Sequence, residues 1–474
     1  MKKRSSFIII TAFLAIGLPL LLLQSCNNRS PESGIIITRI PGNLNNADFL
    51  TGESWRVHEQ AQIVLVEKTG QKILSSGFYS ACSPDISYDG KFMVFSGQLN
   101  KGDPWRIYEL KLSALKARAV SPEGTNCLDP VYMPGNRIVF SKIIENDSLK
   151  AGYSVHTCNL DSSDVKRISF NPDTYFASNL LADGRILTLG RQIFPETGKQ
   201  EMIVMRPDGT KAELFYMAEQ NGIVTSRSRE TSDGKVVFIE SEKGTGEDGR
   251  LVSISYSRPL HTRTNLSSGL IGNFLSVFPE KPGKLLVCYR KSGTERYGLY
   301  EFETEKKSFD QNLYESKDYN VIDVIAAGAH PRPRKLPSEV DMHVKSGLLL
   351  SQDINVVNLN GQPVNKHGKK AVKIEVLGLN RSLGIVDVEK DGSFQIKPLA
   401  DTPFRIRTLD KNGKVINGPC NWIYLRPNER RGCVGCHEDP ELTPFNRVSL
   451  AVKKKPVIIP VHIDKIKEKK VDLE

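Results

Sequence analysis

From Ile63 to about Arg334, no stretch carries apolar residues at helical spacing over a useful length, which argues against helical bundles and alternating helix and strand units. Cysteine is sparse, eight in 474 residues, and Cys82, Cys127, Cys158, Cys288 and Cys420 stand singly. The second close pair that a structural zinc site needs is therefore missing. No Ser/His/Asp grouping, phosphate loop or chelating cluster supports a hydrolase or a kinase. The string Gly244–Gly249 satisfies G-x-G-x-x-G, but strand-like Leu251–Ser255 follows where a dinucleotide fingerprint requires a helix, so it reads as an inter-blade turn. The formal charge is +11, spread along the chain apart from clusters at Lys453–Lys455 and Lys465–Lys470. No aromatic residues interleave those clusters, and a solvated basic face is expected rather than a nucleic-acid surface.

What is present is a long repeat. PDISYDGKFMVFSG, DPVYMPGNRIVFSK, ASNLLADGRILTLGR, ETSDGKVVFIES and SVFPEKPGKLLVCYR each read as an extended lead-in, a turn closing on glycine and a β-branched strand. The turn glycines Gly90, Gly135, Gly184, Gly234 and Gly283 are 45, 49, 50 and 49 residues apart, enough for four short strands and their turns. Repeated four-stranded sheets without helices predict a β-propeller over 35–334. Six blades are expected, or seven if Gly34–Ile40 begins a blade rather than closing the ring. Cys82 and Cys127 each lie eight residues before their turn glycine, so an exported pair at these equivalent places could be bridged, although neighbouring blades diverge.

At the start, Lys2, Lys3 and Arg4 precede an apolar run, Phe7–Leu23, and residues 1–25 read as a signal peptide. Leu23-Gln24-Ser25-Cys26 resembles a bacterial lipobox, in which Cys26 becomes the lipid-modified first residue; an uncleaved anchor helix is the alternative. Either way the body lies in the cell envelope, periplasmic or surface-facing and held to the membrane. Residues 26–34 suit a short spacer. Pro331, Pro333 and Pro337 mark a stiff linker reaching through 335–341. Strands at Ala371–Gly378, Gly384–Val388, Gly392–Lys397, Pro403–Leu409 and Asn421–Leu425, with Asp391-Gly392 and Asn412-Gly413 as hairpin turns, predict a small β-sandwich over 342–447. A basic tail, 448–474, is expected after it. The whole is all-β: propeller, then sandwich.

The chemistry is concentrated in Arg430-Arg431-Gly432-Cys433-Val434-Gly435-Cys436-His437. Two cysteines three apart followed at once by histidine form the attachment signature of a c-type haem. Cys433 and Cys436 would bind the porphyrin covalently and His437 would be the proximal ligand to iron. Arg430 and Arg431 are candidates for the propionates. Met342, His343, His367 and His462 are the distal ligand candidates. Little chain follows His437, so the sandwich, through Trp422 or Tyr424, and a propeller face are expected to enclose the haem between them.

DGSFQIKPLADTPFRIRTLD and NWIYLRPNERRGCVGCHEDPELTPFNR, within 391–447, resemble the middle domain of hydrazine synthase alpha-subunit-like proteins. The repeat is similar to the aspartate-glycine propellers of TolB-like proteins. The resemblance implies a propeller ahead of a domain carrying one haem c, and a less secure axial role for His437, with a zinc ion nearby conceivable. It carries no hydrazine synthesis over, because these residues hold a single C-x-x-C-H where the enzyme has two haem domains. The expected function is electron transfer to or from a periplasmic redox partner, or haem-dependent oxidoreductase chemistry on a small molecule. The alternative is a propeller-based scaffold or sensor with a structural or signalling haem.

Overall fold

In a computed structural model, residues 34–42, 44, 58–146, 149–218, 222–242, 249–359, 362–363, 370–435, 441 and 446–461 are described. Six sheets follow one another from residue 35 to 326. The first complete one runs Ser80–Ile86, Phe92–Gln98, Arg106–Lys111 and Lys116–Ala119, all antiparallel neighbours. Sheets at 127–167, 173–216 and 273–314 repeat that order, and the sheet at 222–265 does so with five strands, Gly222–Val224 and Arg229–Glu230 both pairing with Lys235–Glu242. In the sixth, Ile35–Pro41 lies between Gln62–Glu67 and Tyr319–Ala326. The run GIIITRI therefore closes the ring and begins no sheet of its own. Pairing the two ends of the propeller buries Ile36 and Ile37 in the clusters that also hold Ile325 and Val324.

The repeat glycines have one cause. Gly90, Gly135, Gly184, Gly234 and Gly283 all take φ between 71° and 90°, a region closed to most side chains. The G-x-G-x-x-G string joins Lys235–Glu242 to Arg250–Ser255, which pair within one sheet. It is thus a connection inside a blade rather than between blades, although 243–248 themselves lie outside the described residues. Cys82 and Cys127 carry no bond to one another. Cys82 packs with Ile40 and Ala61, whereas Cys127 packs with Val94, Ile107 and Phe140, so the two thiols serve different core clusters.

The proline-rich segment is laid onto the propeller. His330 N donates to Tyr88 O at 3.1 Å and Arg334 N to Ala182 O at 3.0 Å. Proline offers a carbonyl but no N–H, so the propeller supplies donors: Arg206 Nη2 reaches Pro337 O at 2.6 Å. Burial would raise the Asp208 carboxyl, but hydrogen bonds from Thr210, Glu339 N and Ser338 hold it below its ordinary value.

Beyond this strap lie two four-stranded sheets. One contains Arg430–Cys433, Leu348–Ser351, Phe394–Lys397 and Val457–Ile458; the other contains Ser382–Asp387, Lys373–Leu377, Arg405–Leu409 and Val415–Asn417. Leu349, Phe394 and Ile396 from the first meet Ile374, Val376 and Ile406 from the second in one core. Three expectations change. Asn412-Gly413 turns between paired strands, but Asp391-Gly392 connects strands of different sheets. Asn421–Leu425 makes only an isolated bridge, Phe404 to Ile423; the strand that carries the first cysteine is Arg430–Cys433. Part of the expected tail is structural: Val457–Ile458 runs parallel to Phe394–Lys397, and Ile459 is buried in the core.

Candidate functional site

The strand Arg430–Cys433 lies parallel to Leu348–Ser351, with Cys433 beside Ser351. Gly435 then passes so close to Val356 that a Cβ there would lie 2.3 Å from its carbonyl oxygen. Only glycine permits that path. Cys436 and His437 lie outside the described residues, as do Cys26, His367 and His462.

Cys433 lines a cavity of about 340 Å³ between the propeller and the sandwich, within the size range of small-molecule sites. Leu349, Ile354, Phe394 and Ile406 form its sandwich wall, and Gly190, Ile203 and Leu214 belong to its propeller wall. Trp422 and Tyr424 complete it. They alternate with Ile423 as an extended segment dictates: Ile423 packs on the sandwich core, while both aromatic residues face the propeller. Trp422 Nε1 donates to Phe194 O at 2.6 Å. The Tyr424 hydroxyl lies 2.9 Å from Ile168 O and 3.1 Å from Gly209 O, and donates to one at a time.

A buried carboxylate organises the border. Glu429 is 2% exposed, and Arg431 Nη2 at 2.6 Å, Lys211 N at 2.8 Å and Arg426 N at 2.8 Å all donate to it. A buried charge needs such pairing. Arg431 also donates to Ala212 O at 3.1 Å, so its guanidinium joins the domains while lining the cavity. Strand alternation turns the neighbouring Arg430 outward, where it is exposed and lines no part of the cavity. Met342 and His343 are also exposed and off the cavity.

On the propeller wall, Lys199 Nζ pairs with Glu201 at 2.6 Å, and Asn421 Nδ2 donates to the same carboxylate at 2.7 Å. Asp173 stands beside them. Burial, reinforced by the charge of Glu201, pushes its carboxyl up to about 7 against the hydrogen bond from Tyr175 and the charge of Lys199. Burial likewise lifts the Cys420 thiol to about 11, which keeps it protonated. Asp173, Glu429 and Ser351 have no motif around them, and no sequence signal marks them. A wider opening of about 690 Å³ at the glycine-turn end of the propeller is partly lined by the strap and contains none of the motif residues.

The groups present suit a haem. Apolar and aromatic side chains such as Leu349, Ile354, Phe394, Ile406 and Trp422 stand on the sandwich side of the cavity, and Asp173, Lys199, Glu201 and Glu213 make much of the propeller side polar. Cys433 lies at its edge, and Ser351 Oγ, beside Cys433, is buried without a hydrogen-bond partner among the described residues. A Cβ at Gly432 would meet nothing within 4 Å among the described residues. Among the described residues no group of three or more His, Cys, Asp or Glu could hold a metal ion, and no helix is long and apolar enough to cross a membrane.

Comparison with known proteins places this geometry. Residues 345–438 match the family model described as hydrazine synthase alpha subunit middle domain. Hydrazine synthase subunit alpha of Kuenenia stuttgartiensis is 21% identical over 538 residues, covering 86% of this chain; the chain spans 66% of that relative's length. The solved Kuenenia stuttgartiensis hydrazine synthase superposes with a TM-score of 0.75 at 18% identity, over 89% of this chain and 71% of that one. TolB from Acinetobacter baumannii gives a TM-score of 0.46 at 15% identity, over 62% of this chain and 66% of its own. The chain is thus hydrazine synthase alpha-subunit-like, a β-propeller joined to a domain of the alpha-subunit middle-domain family.

Proposed function

We propose that this is a lipid-anchored haem c protein of the cell envelope, with its single haem seated in the interdomain cavity. Cys433 and Cys436 would hold the porphyrin covalently, His437 would offer the axial nitrogen, and the apolar side chains of the sandwich wall, with Ile203 and Leu214 of the propeller, would keep it from water. When bound, the haem supplies a one-electron iron couple. The protein would then pass electrons to a periplasmic partner or carry out redox chemistry on a small molecule. Hydrazine is a product in the relative's name only; with one C-x-x-C-H in the 474 residues, its synthesis is no part of the proposal.

The observation that carries this reading is the position of Cys433, the first cysteine of the motif, on the wall of a cavity built by two domains. Arg431 is the remaining propionate candidate, although Glu429 and Ala212 already engage it. The full chain produced alongside a cytochrome c maturation system should gain the mass of one haem, and a Cys433→Ser, Cys436→Ser double variant should not. An unmodified wild-type mass under those conditions rejects the proposal. Membrane partitioning of a Cys26→Ala variant tests the anchor separately.

A further inference from the structure

A second interdomain cavity, about 150 Å³, lies next to the first and is lined by Tyr153, Ser154, Arg167, Phe170 and Asp401 among others. Asn171 and Asp173 line both cavities. Two polar atoms along this path are buried without a hydrogen-bond partner among the described residues: Asn171 Oδ1, and the hydroxyl of Ser154, a residue only 4% exposed. Buried polar atoms are rarely left unsatisfied, and ordered water is their usual partner. Asn171 Nδ2 is committed to Trp422 O at 3.0 Å, so Oδ1 is the atom left to hold such a water between the two spaces.

We propose that Asp173 is the proton-holding group of the larger cavity, loaded through the smaller one by water held at Ser154 and Asn171. This deepens the haem reading and rests on it for its redox consequence. One electron from a one-electron reductant enters the haem site; one proton from solvent passes through the smaller cavity and converts the Asp173 carboxylate to the acid. Charge is balanced, and a reducible small molecule would find its proton beside it.

The surroundings suit this use. Lys199 and Glu201 neutralise one another, and Arg431 is taken up by Glu429. Glu213, its carboxyl raised by burial, and the protonated Cys420 thiol face the same space. Across the smaller cavity stand Arg167 and Asp401, and Asp401 pairs with Arg426 at 2.7 Å. Tyr175 hydroxyl donates to Asp173 Oδ2 at 3.1 Å and fixes its orientation. Of the carboxyls around the larger cavity, Asp173 alone also lines the smaller one, and it has no cation bonded to it in an ion pair among the described residues.

The first readout is infrared and needs no haem. In the full chain, a carboxylic-acid carbonyl band should bleach between about pH 6 and about pH 8, where a raised carboxyl titrates, and should be missing from Asp173→Asn. Asp173→Glu should restore it. Asn171→Leu should slow its equilibration at least tenfold while leaving its midpoint in place. The second readout is the midpoint potential of the haem-loaded chain reduced with dithionite. It should fall as pH rises above the carboxyl's value in the oxidised chain, by up to about 59 mV for each tenfold drop in proton concentration, and lie flat in Asp173→Asn. A wild-type spectrum with no titrating band overturns the assignment whatever the variants do, and unchanged equilibration in a folded Asn171→Leu overturns the path. A chain that never gains haem rejects the proposed function and the redox consequence together, while the infrared titration still decides the assignment of Asp173.

Discussion

Asp173 and His156 carry opposite dependences of stability on pH. Burial holds His156 neutral, lowering it to about 4, with Nδ1 3.1 Å from Ser154 O. An unfolded histidine titrates near 6.5, so the unfolded state binds the extra proton first, and stability is lost as pH falls from about 6.5 to about 4. Asp173 runs the other way. Its folded value is raised to about 7, so the stability it contributes is present below its unfolded value and lost as pH rises through about 7. Asp173→Asn should therefore gain about 1–3 kcal/mol over wild type at pH 8 and nothing at pH 4, since a tenfold change in proton affinity is worth about 1.4 kcal/mol. His156→Phe should flatten the acid limb. Urea unfolding of both variants across pH reads the two windows apart, and parallel curves for wild type and variants would contradict the assignment.

The repeat turn is the element the sequence marks most clearly, and its glycines are not equivalent. A Cβ at Gly184 would lie 2.2 Å from Arg334 O, whereas one at Gly234 would meet nothing within 4 Å. Both residues have positive φ, 90° and 76°, so alanine at either costs about 1–2 kcal/mol in backbone conformation. Gly184→Ala must also push the strap away, and should cost at least twice as much as Gly234→Ala. Equal losses by thermal unfolding would show that the strap contributes nothing there. The spacing of the glycines revealed the turns because positive φ is a local demand. The strap was not visible, since the residues it meets are some 150 positions away in the chain.

At the level of the whole molecule, the two domains are joined by Trp422, Tyr424, Arg426, Glu429 and Arg431 on one side, and by residues between 168 and 212 on the other. Trp422→Ala removes both a buried ring and the hydrogen bond to Phe194 O. It should cost about 3 kcal/mol and split a single calorimetric transition into two, as the propeller and sandwich melt apart. One undivided transition in the variant would place the coupling elsewhere, in the strap. The same variant enlarges the cavity beside Cys433, so its haem, once attached, should take up added imidazole more readily.

The all-β class, the phase of the propeller repeat, the sandwich strands around Lys373–Leu377 and Arg405–Leu409, and the C-x-x-C-H motif are all legible in the amino-acid sequence. Each follows from a local rule: a period of two along strands, glycine at positive φ, a fixed spacing of thiols. Other features arise only when distant segments pack: Ile35–Pro41 pairs with Tyr319–Ala326, Val457–Ile458 returns to the sandwich, and Trp422 and Tyr424 both face the propeller. Packing also sets Asp173, more than 250 residues before the motif, on the same cavity as Cys433. An aspartate at the start of a strand reads as an ordinary polar residue; what raises its carboxyl is burial beneath a second domain, and burial by distant chain leaves no mark on the residues around it.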